Sequence, residues 1–225
     1  KFASYDFDEI LIEDTIASYY GMKSNLNFVK EFNGYLPPLT IGGGIKNIKD
    51  AENIFKFGAD KICINTFLFE NINLISDLIN VFGAQAITVS IQIITNKNGI
   101  QLRRFYGREI VKKINFLEWL NKIIEYSPGE IIINNVSRDG TLKGIDYELI
   151  KKLPYTQSTR MLYGGGIRFK ELNNELFKKI NNIDGYLISK DFYEYSKQKN
   201  YLSKNKESFN SLNIKKIRSI IKNKI

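Results

Sequence analysis

The chain has no histidine, a single cysteine (Cys63), four prolines and one tryptophan in 225 residues. Without histidine, neither a His-based nucleophile triad nor a histidine metal site can form in this stretch. Proton transfer falls to carboxylates, lysine, tyrosine or the thiol. One cysteine excludes a disulfide framework, and no run approaches the ~18 apolar residues of a membrane span. A cytoplasmic, reducing setting is expected. Acidic residues are scarce only at the end: residues 197–225 hold nine Lys or Arg against one acid, so all but +1 of the net charge of +9 belongs to this tail. The basicity is a tail property rather than a binding face, and neither nucleic acid nor membrane is expected as a partner. No metal cluster or cofactor motif is visible, so no cofactor is expected.

What is present is a repeat. Residues 39–45 read LTIGGGI and residues 162–167 read LYGGGI, with Gly42 and Gly164 offset by 122 positions. Each is a short apolar run stopped by three glycines, so the chain reads as two related halves. A strand that ends in bare backbone leaves N–H groups open to an anion, because no side chain holds a phosphate away. Two such strand ends suggest a substrate held at two points.

Short buried-type strands are predicted at Glu9–Asp14, Leu39–Ile41, Lys61–Asn65, Ala86–Ile93, Glu130–Asn134, Met161–Tyr163 and Gly185–Ile188. Amphipathic helical stretches lie between them at Asp50–Phe57, Leu74–Val81, Phe116–Tyr126 and Lys170–Ile180. The order is βα repeated without a hairpin, which predicts a parallel α/β sheet closing as a (β/α)8 TIM barrel. Seven strands fall one short of closure, and the chain begins with Lys1 in what reads as the end of a helix. The expectation is therefore a single barrel domain over residues 1–225 lacking its first strand and most of its first helix; an open doubly wound sheet is the alternative. A mobile Lys/Asn/Ser-rich segment is expected over 195–210, before a closing helix at Leu212–Ile225.

In such barrels function sits at the C-terminal ends of the strands. Those ends carry Asp14, Gly42 to Gly44, Asn65 with Thr66, Gln92, the segment Ser137 to Thr141, Gly164 to Gly166, and Ser189 with Lys190. Asp139-Gly140-Thr141 places a carboxylate, a permissive turn and a hydroxyl on one loop; the same tripeptide is also an ordinary turn. Cys63 alternates with Ile62 and Ile64 on a strand and reads as a packed, inert thiol. Asn98-Gly99 reads as a turn, and Arg103 to Arg108 (RRFYGR) as a mobile basic-aromatic loop whose Arg103, Arg104 or Arg108 could meet a phosphate.

The runs LTIGGGIKNIKDAENIFKFGADKICINT, FGAQAITVSI, GEIIINNVSRDGTLKGIDYELI and GGGI together resemble the cyclase subunit of imidazole glycerol phosphate synthase. The likeness covers most of the chain, from about Lys1 to Phe192. It implies a glutaminase partner that delivers ammonia through the barrel to a ribotide bearing a phosphate at each end. One phosphate site then involves Gly43, Gly44, Asn65 and Thr66, and the other Asp139, Gly140, Thr141, Gly165, Gly166 and Ser189. The resemblance assigns Glu9, Lys61 and Glu130, at the starts of separate strands, to the ammonia entry, and Asp60 to the glutaminase-facing surface. Charges facing a packed interior there must pair or meet water.

The chain departs from that family at its catalytic end. The resemblance implies two acid–base Asp residues, one on a strand preceding Lys1 and one where VSIQI places Gln92. An amide offers hydrogen bonds but shuttles no proton, so acid–base catalysis worth typically ~10²- to 10⁴-fold would be lost there. Asp139 and Asp14 are the remaining catalytic candidates. Ser137 stands where the cyclase has another Asp, and Lys190 replaces a small residue, either strengthening the second phosphate site or blocking it. A preserved entry beside an altered catalytic end looks like the branch of cyclase-like proteins that act with a separate amidotransferase to turn surface-sugar N-acetyl groups into acetamidino groups. A genuine histidine-pathway cyclase and a noncatalytic ammonia conduit that activates its glutaminase are the competing readings.

Overall fold

The computed structural model describes residues 7–22, 24, 26, 37–173 and 180–191. Seven strands run parallel in one sheet: β1 (Ile10–Glu13), β2 (Leu39–Gly42), β3 (Lys61–Ile64), β4 (Ile87–Asn96), β7 (Glu130–Asn135), β8 (Arg160–Gly164) and β9 (Gly185–Leu187), each hydrogen-bonded to the next. All seven predicted strands are present. Between β4 and β7 the prediction of an uninterrupted βα order fails. β5 (Gly99–Arg104) pairs antiparallel with β4, and β6 (Glu109–Ile110) pairs with β5. The Asn98-Gly99 turn is where it was expected, but Arg103 and Arg104 belong to a strand and not to a loop. The reason is the length of β4, whose ten residues run beyond its parallel neighbours and give the returning chain a free edge to pair with.

Three helices pack on the outside of the sheet, α2 (Ile48–Lys56), α3 (Leu74–Phe82) and α4 (Phe116–Glu125), while the short α1 (Thr15–Tyr20) follows β1 at the strand ends and a single turn α5 (Tyr147–Ile150) follows β7. Asn47 and Asn115 begin α2 and α4 by accepting from Asp50 N (3.0 Å) and Leu117 N (2.8 Å). The buried stripe of α4, Phe116, Trp119, Leu120 and Ile123, follows helical spacing. The predicted helix at Lys170–Ile180 lies largely outside the described residues, although Phe169–Glu171 forms a 3₁₀ turn. The terminal helix, the 195–210 segment and the chain before Phe7 also lie outside them.

Period-two alternation divides the sheet into two faces. Ile62, Ile64, Ile87, Val89, Ile91, Ile93, Ile131, Ile133, Met161 and Tyr163 join the hydrophobic core with Leu74, Ile75, Leu78, Leu120 and Ile123 of the helices. The opposite parity is polar at both ends: Lys61, Cys63 and then Asn65 beyond β3; Thr88, Ser90 and Gln92 on β4; Glu130 and Asn134 on β7. The sheet curls around this second face. Neighbouring strands lie about 4.8 Å apart, yet Lys61 Nζ on β3 reaches both Glu9 Oε2, beside β1 (2.5 Å), and Glu130 Oε1 on β7 (2.8 Å), each two strands away. A flat sheet would hold these carboxylates far apart. Among the described residues β1 and β9, at the ends of the path, form no ladder with each other.

Ile62 is fully buried between β3 and the helices. Ile62→Ala is expected to cost about 2–5 kcal/mol in denaturant unfolding, whereas Val81→Ala, at a half-exposed position of α3, is expected to change stability by less than about 0.5 kcal/mol.

Candidate functional site

The two glycine strand ends are built alike. Gly43 and Gly165 have φ of 114° and 113°, and each is followed by a second left-handed glycine, Gly44 or Gly166. A Cβ on Gly43 would lie 2.4 Å from Asp14 O, and one on Gly165 2.4 Å from Asn135 O; in both cases the obstacle is the backbone at the end of the preceding strand. Both conformation and space therefore require glycine. The repeat extends to the strand starts: Leu39 N donates to Asp60 Oδ2 (2.8 Å), and Met161 N to Asp184 Oδ2 (2.7 Å). Asp60 is exposed, and it has this structural task in common with Asp184.

A pocket of about 340 Å³ opens at the C-terminal ends of β1 to β4. It brings together Asp14, Gly43, Gly44, Asn65, Thr66 and Gln92, as expected from sequence, and adds Glu13, Cys63, Tyr19 and Tyr106. Asp14 caps α1, its Oδ1 accepting from Ile16 N (3.1 Å) and Ala17 N (2.9 Å). Gly44 N donates to Ser18 Oγ (3.2 Å). The Asn65 side-chain nitrogen is buried with no hydrogen-bond partner among the described residues, so it is a donor available to a ligand.

The turn between β5 and β6 closes over this pocket. Phe105 N donates to Thr66 Oγ1 (3.3 Å), Gly107 N to Gln92 Oε1 (3.2 Å), and the Tyr106 hydroxyl to Asp139 Oδ2 (3.1 Å). Phe105, Tyr106 and Gly107 all have positive φ. Arg108 stacks over Tyr19 (4.6 Å) and Arg104 over Phe105 (5.0 Å), while Arg104 also pairs with Glu109 (2.6 Å). Burial, and then the Asp139 and Glu13 charges, push the Tyr106 phenol up, which keeps it a hydrogen-bond donor.

The second set of expected residues does not line this pocket. Gly140 and Thr141 lie on the loop after β7, where Thr141 Oγ1 donates to Arg138 O (2.6 Å) and Gly144 N to Gly166 O (2.8 Å). Gly165 and Gly166 follow β8, and Ser189 and Lys190 follow the adjacent β9. This group therefore gathers at the β7–β9 side of the mouth. Asp139, through Tyr106, joins the two sides. Ser137 Oγ donates to Asn135 Oδ1 (2.6 Å) and accepts from Thr95 N on β4 (3.4 Å), so it ties the loop to the neighbouring strand.

At the other end of the strands, Glu9, Lys61 and Glu130 form one cluster. Arg160 of β8 also donates to Glu130, Thr88 Oγ1 donates to Glu130 Oε2 (3.0 Å), and Thr40 Oγ1 donates to Glu9. Glu130 is only 2% exposed, so these partners supply the compensation a buried carboxylate needs. Arg160 and the two threonines were not singled out from sequence. Cys63 lies between the two ends: burial and the Glu13, Glu130 and Glu9 charges push its thiol well up, in keeping with an inert packing role.

Glu13, like Tyr19, is a pocket residue that sequence reasoning missed. Burial, followed by the Asp139 charge, raises its carboxyl to about 7 despite contact with the Cys63 thiol (3.9 Å). The available signal was its spacing of four from Glu9, which puts both on the inner face of one strand.

Together these features define a class: a (β/α) barrel with its pocket at the strand ends and a charged cluster at the strand starts. Residues 1–198 match the family of histidine biosynthesis proteins, and the chain belongs to that family. A Vibrio vulnificus (strain YJ016) protein, provisionally named imidazole glycerol phosphate synthase subunit hisF2, is 36% identical over 173 residues, 76% of this chain and 63% of that protein. Imidazole glycerol phosphate synthase subunit HisF from Legionella pneumophila is 34% identical over 169 residues, covering 74% and 79%. The Dictyoglomus thermophilum HisF is 35% identical over 190 residues, covering 83% and 73%. The chain thus spans less than two thirds of the Vibrio relative.

The raised Glu13 carboxyl makes a signed prediction. Its proton is held more tightly in the folded chain than by an ordinary glutamate near 4.5, so its contribution to stability is fully present below pH ~4.5 and is lost as pH rises through ~7. Glu13→Gln is expected to be more stable than wild type in urea at pH 8, with the gain shrinking steadily to nothing near pH 4.5.

Proposed function

We propose that this chain is the ammonia-accepting barrel subunit of a glutamine-dependent synthase. Its proposed reaction is the cyclase step that converts a bisphosphorylated ribotide into imidazole glycerol phosphate and an aminoimidazole ribotide. The observation that carries this reading is the Glu9–Lys61–Glu130 cluster at the strand starts, on the same inner face as the pocket at the strand ends. Membership of the histidine biosynthesis protein family and the HisF relatives support it over the surface-sugar reading.

On this reading a glutaminase docks over the strand starts near Asp60, and ammonia enters beside Lys61. Lys61 is held between two carboxylates, so it can move aside without leaving a charge bare. The inner face then offers Cys63 and Ser90 before Asn65 and Gln92. One phosphate rests on Gly43, Gly44, Asn65 and Thr66, and the other on Gly140, Thr141, Gly165, Gly166, Ser189 and Lys190. Asp139, held by Tyr106, orients a ribotide hydroxyl, while Gln92 accepts from Gly107 N and so keeps the β5–β6 turn in place.

Gln92 favours a second reading. An amide at the position expected for an acid–base carboxylate suits a diverged barrel that passes ammonia to a separate sugar amidotransferase, with amidation of an N-acetyl group taking place there. Ammonia-dependent turnover of the bisphosphorylated ribotide by the full-length protein, with Gln92→Asp in parallel, separates the two. The cyclase reading expects wild-type turnover. Ribotide binding without turnover, restored by the Asp variant, would move the chain to the diverged branch; activation of a glutaminase without ribotide binding would make it a conduit.

A further inference from the structure

Three carboxylates line the pocket, Glu13, Asp14 and Glu70, and Asp139 reaches it through Tyr106. Asp14 holds two amides of α1, Asp139 accepts from Tyr106, and Glu70 stands exposed at the rim. Glu13 differs. Its described hydrogen-bond partner is a thiol at 3.9 Å, a weak donor, and no cation pairs with it among the described ion pairs. It projects from the last residue of β1 onto the inner face that carries Glu9 at the strand start. A group travelling along that face from Lys61 toward Gln92 passes Cys63, which Glu13 touches. Glu13 therefore stands where the interior opens into the pocket, beside a neutral amide that cannot move a proton.

We propose that Glu13 is the acid–base residue of this site, taking a proton from nitrogen that reaches the pocket as ammonium rather than ammonia. In that step an N–H bond of ammonium breaks and nitrogen keeps the electron pair. The proton forms an O–H bond on the Glu13 carboxylate, and neutral ammonia is left as the nucleophile. The carboxyl then returns its proton to water at the pocket mouth, so the cycle needs no other reagent. The groups facing Glu13 suit the exchange: the Cys63 thiol on β3, the Tyr106 phenol on the β5–β6 turn, the Asp139 carboxylate after β7 and the backbone of Gly42 on β2, with Gln92 of β4 in the same pocket. Burial and the Asp139 charge hold Glu13 near 7, so both protonation states are populated at neutral pH.

The assignment deepens the ammonia-accepting reading and rests on it. Turnover of the bisphosphorylated ribotide with ammonium chloride is measured from pH 6 to 9 for wild type, Glu13→Gln and Glu13→Asp, together with ribotide affinity by calorimetry. Glu13→Gln is expected to bind the ribotide within about threefold of wild type and to lose ~10²- to 10⁴-fold in kcat. Its residual rate should climb with free ammonia as pH rises, and Glu13→Asp should recover part of the loss. Unchanged kcat and pH profile in Glu13→Gln would overturn the assignment. If wild type itself fails to turn over, the cyclase reading falls, and the carboxyl ¹³C titration of Glu13, identified by its loss in Glu13→Gln, decides the residue alone. An inflection near 7 that moves on adding ammonium upholds the assignment, and one in the ordinary carboxylate range overturns it.

Discussion

A carboxylate buried at the start of a strand governs much of this structure. Glu130 is enclosed, and an unpaired charge there would cost several kcal/mol, so the strands around it must present partners at one level. Lys61, Thr88 and Arg160 do so directly, and Glu9 with Thr40 completes the set through Lys61. Five of these side chains come from five parallel strands, and Glu9 immediately precedes a sixth. A slip of one residue in any of them would turn its polar group outward into the hydrophobic layer beneath the helices. The cluster thus fixes register, and its short reach across two strands on each side goes with the curl.

Register set at the strand starts determines what meets at their ends. Two residues along, the inner face carries Cys63 and Ser90; two further, it carries Glu13, Asn65 and Gln92. The glycine pairs sit where β2 and β8 finish, separated by β3, β4 and β7 in the sheet order. The β5–β6 turn then ties the pocket together through Thr66, Gln92 and Asp139. Charge inside the site follows from the same geometry: the Asp139 charge adds to burial in raising the cost of ionising Glu13, and no cation pairs with Glu13 among the described ion pairs.

The strands and the repeat were legible in the sequence because both are local. Apolar runs such as AITVSIQI and EIIIN and the doubled glycine motif carry their meaning in a few neighbouring residues. The hairpin was not legible, since Ile100 to Arg104 is extended only through pairing with the overlong β4. The Glu9, Lys61 and Glu130 charges could be picked out along the chain, but Arg160, Thr40 and Thr88 join them only through curling. Asp14 and Asp60 show the converse: read as catalytic and partner-facing residues, they also cap a helix and a strand start. Glu13 was hidden by its neighbours, since a carboxylate ending ILIE beside Asp14 looks like one of two acids at a strand terminus until strand parity assigns it to the interior.

Register places two alike glycine strand ends on opposite sides of the barrel mouth, and on the proposed reading each seats a phosphate. A crystal structure of the protein with the bisphosphorylated ribotide tests it most directly. The account predicts one phosphate against Gly43 and Gly44 and the other against Gly165 and Gly166, with the chain of the ribotide between them passing Gln92 and Glu13. A ligand seated with both phosphates on one side, or at the strand-start end near Lys61, would contradict it.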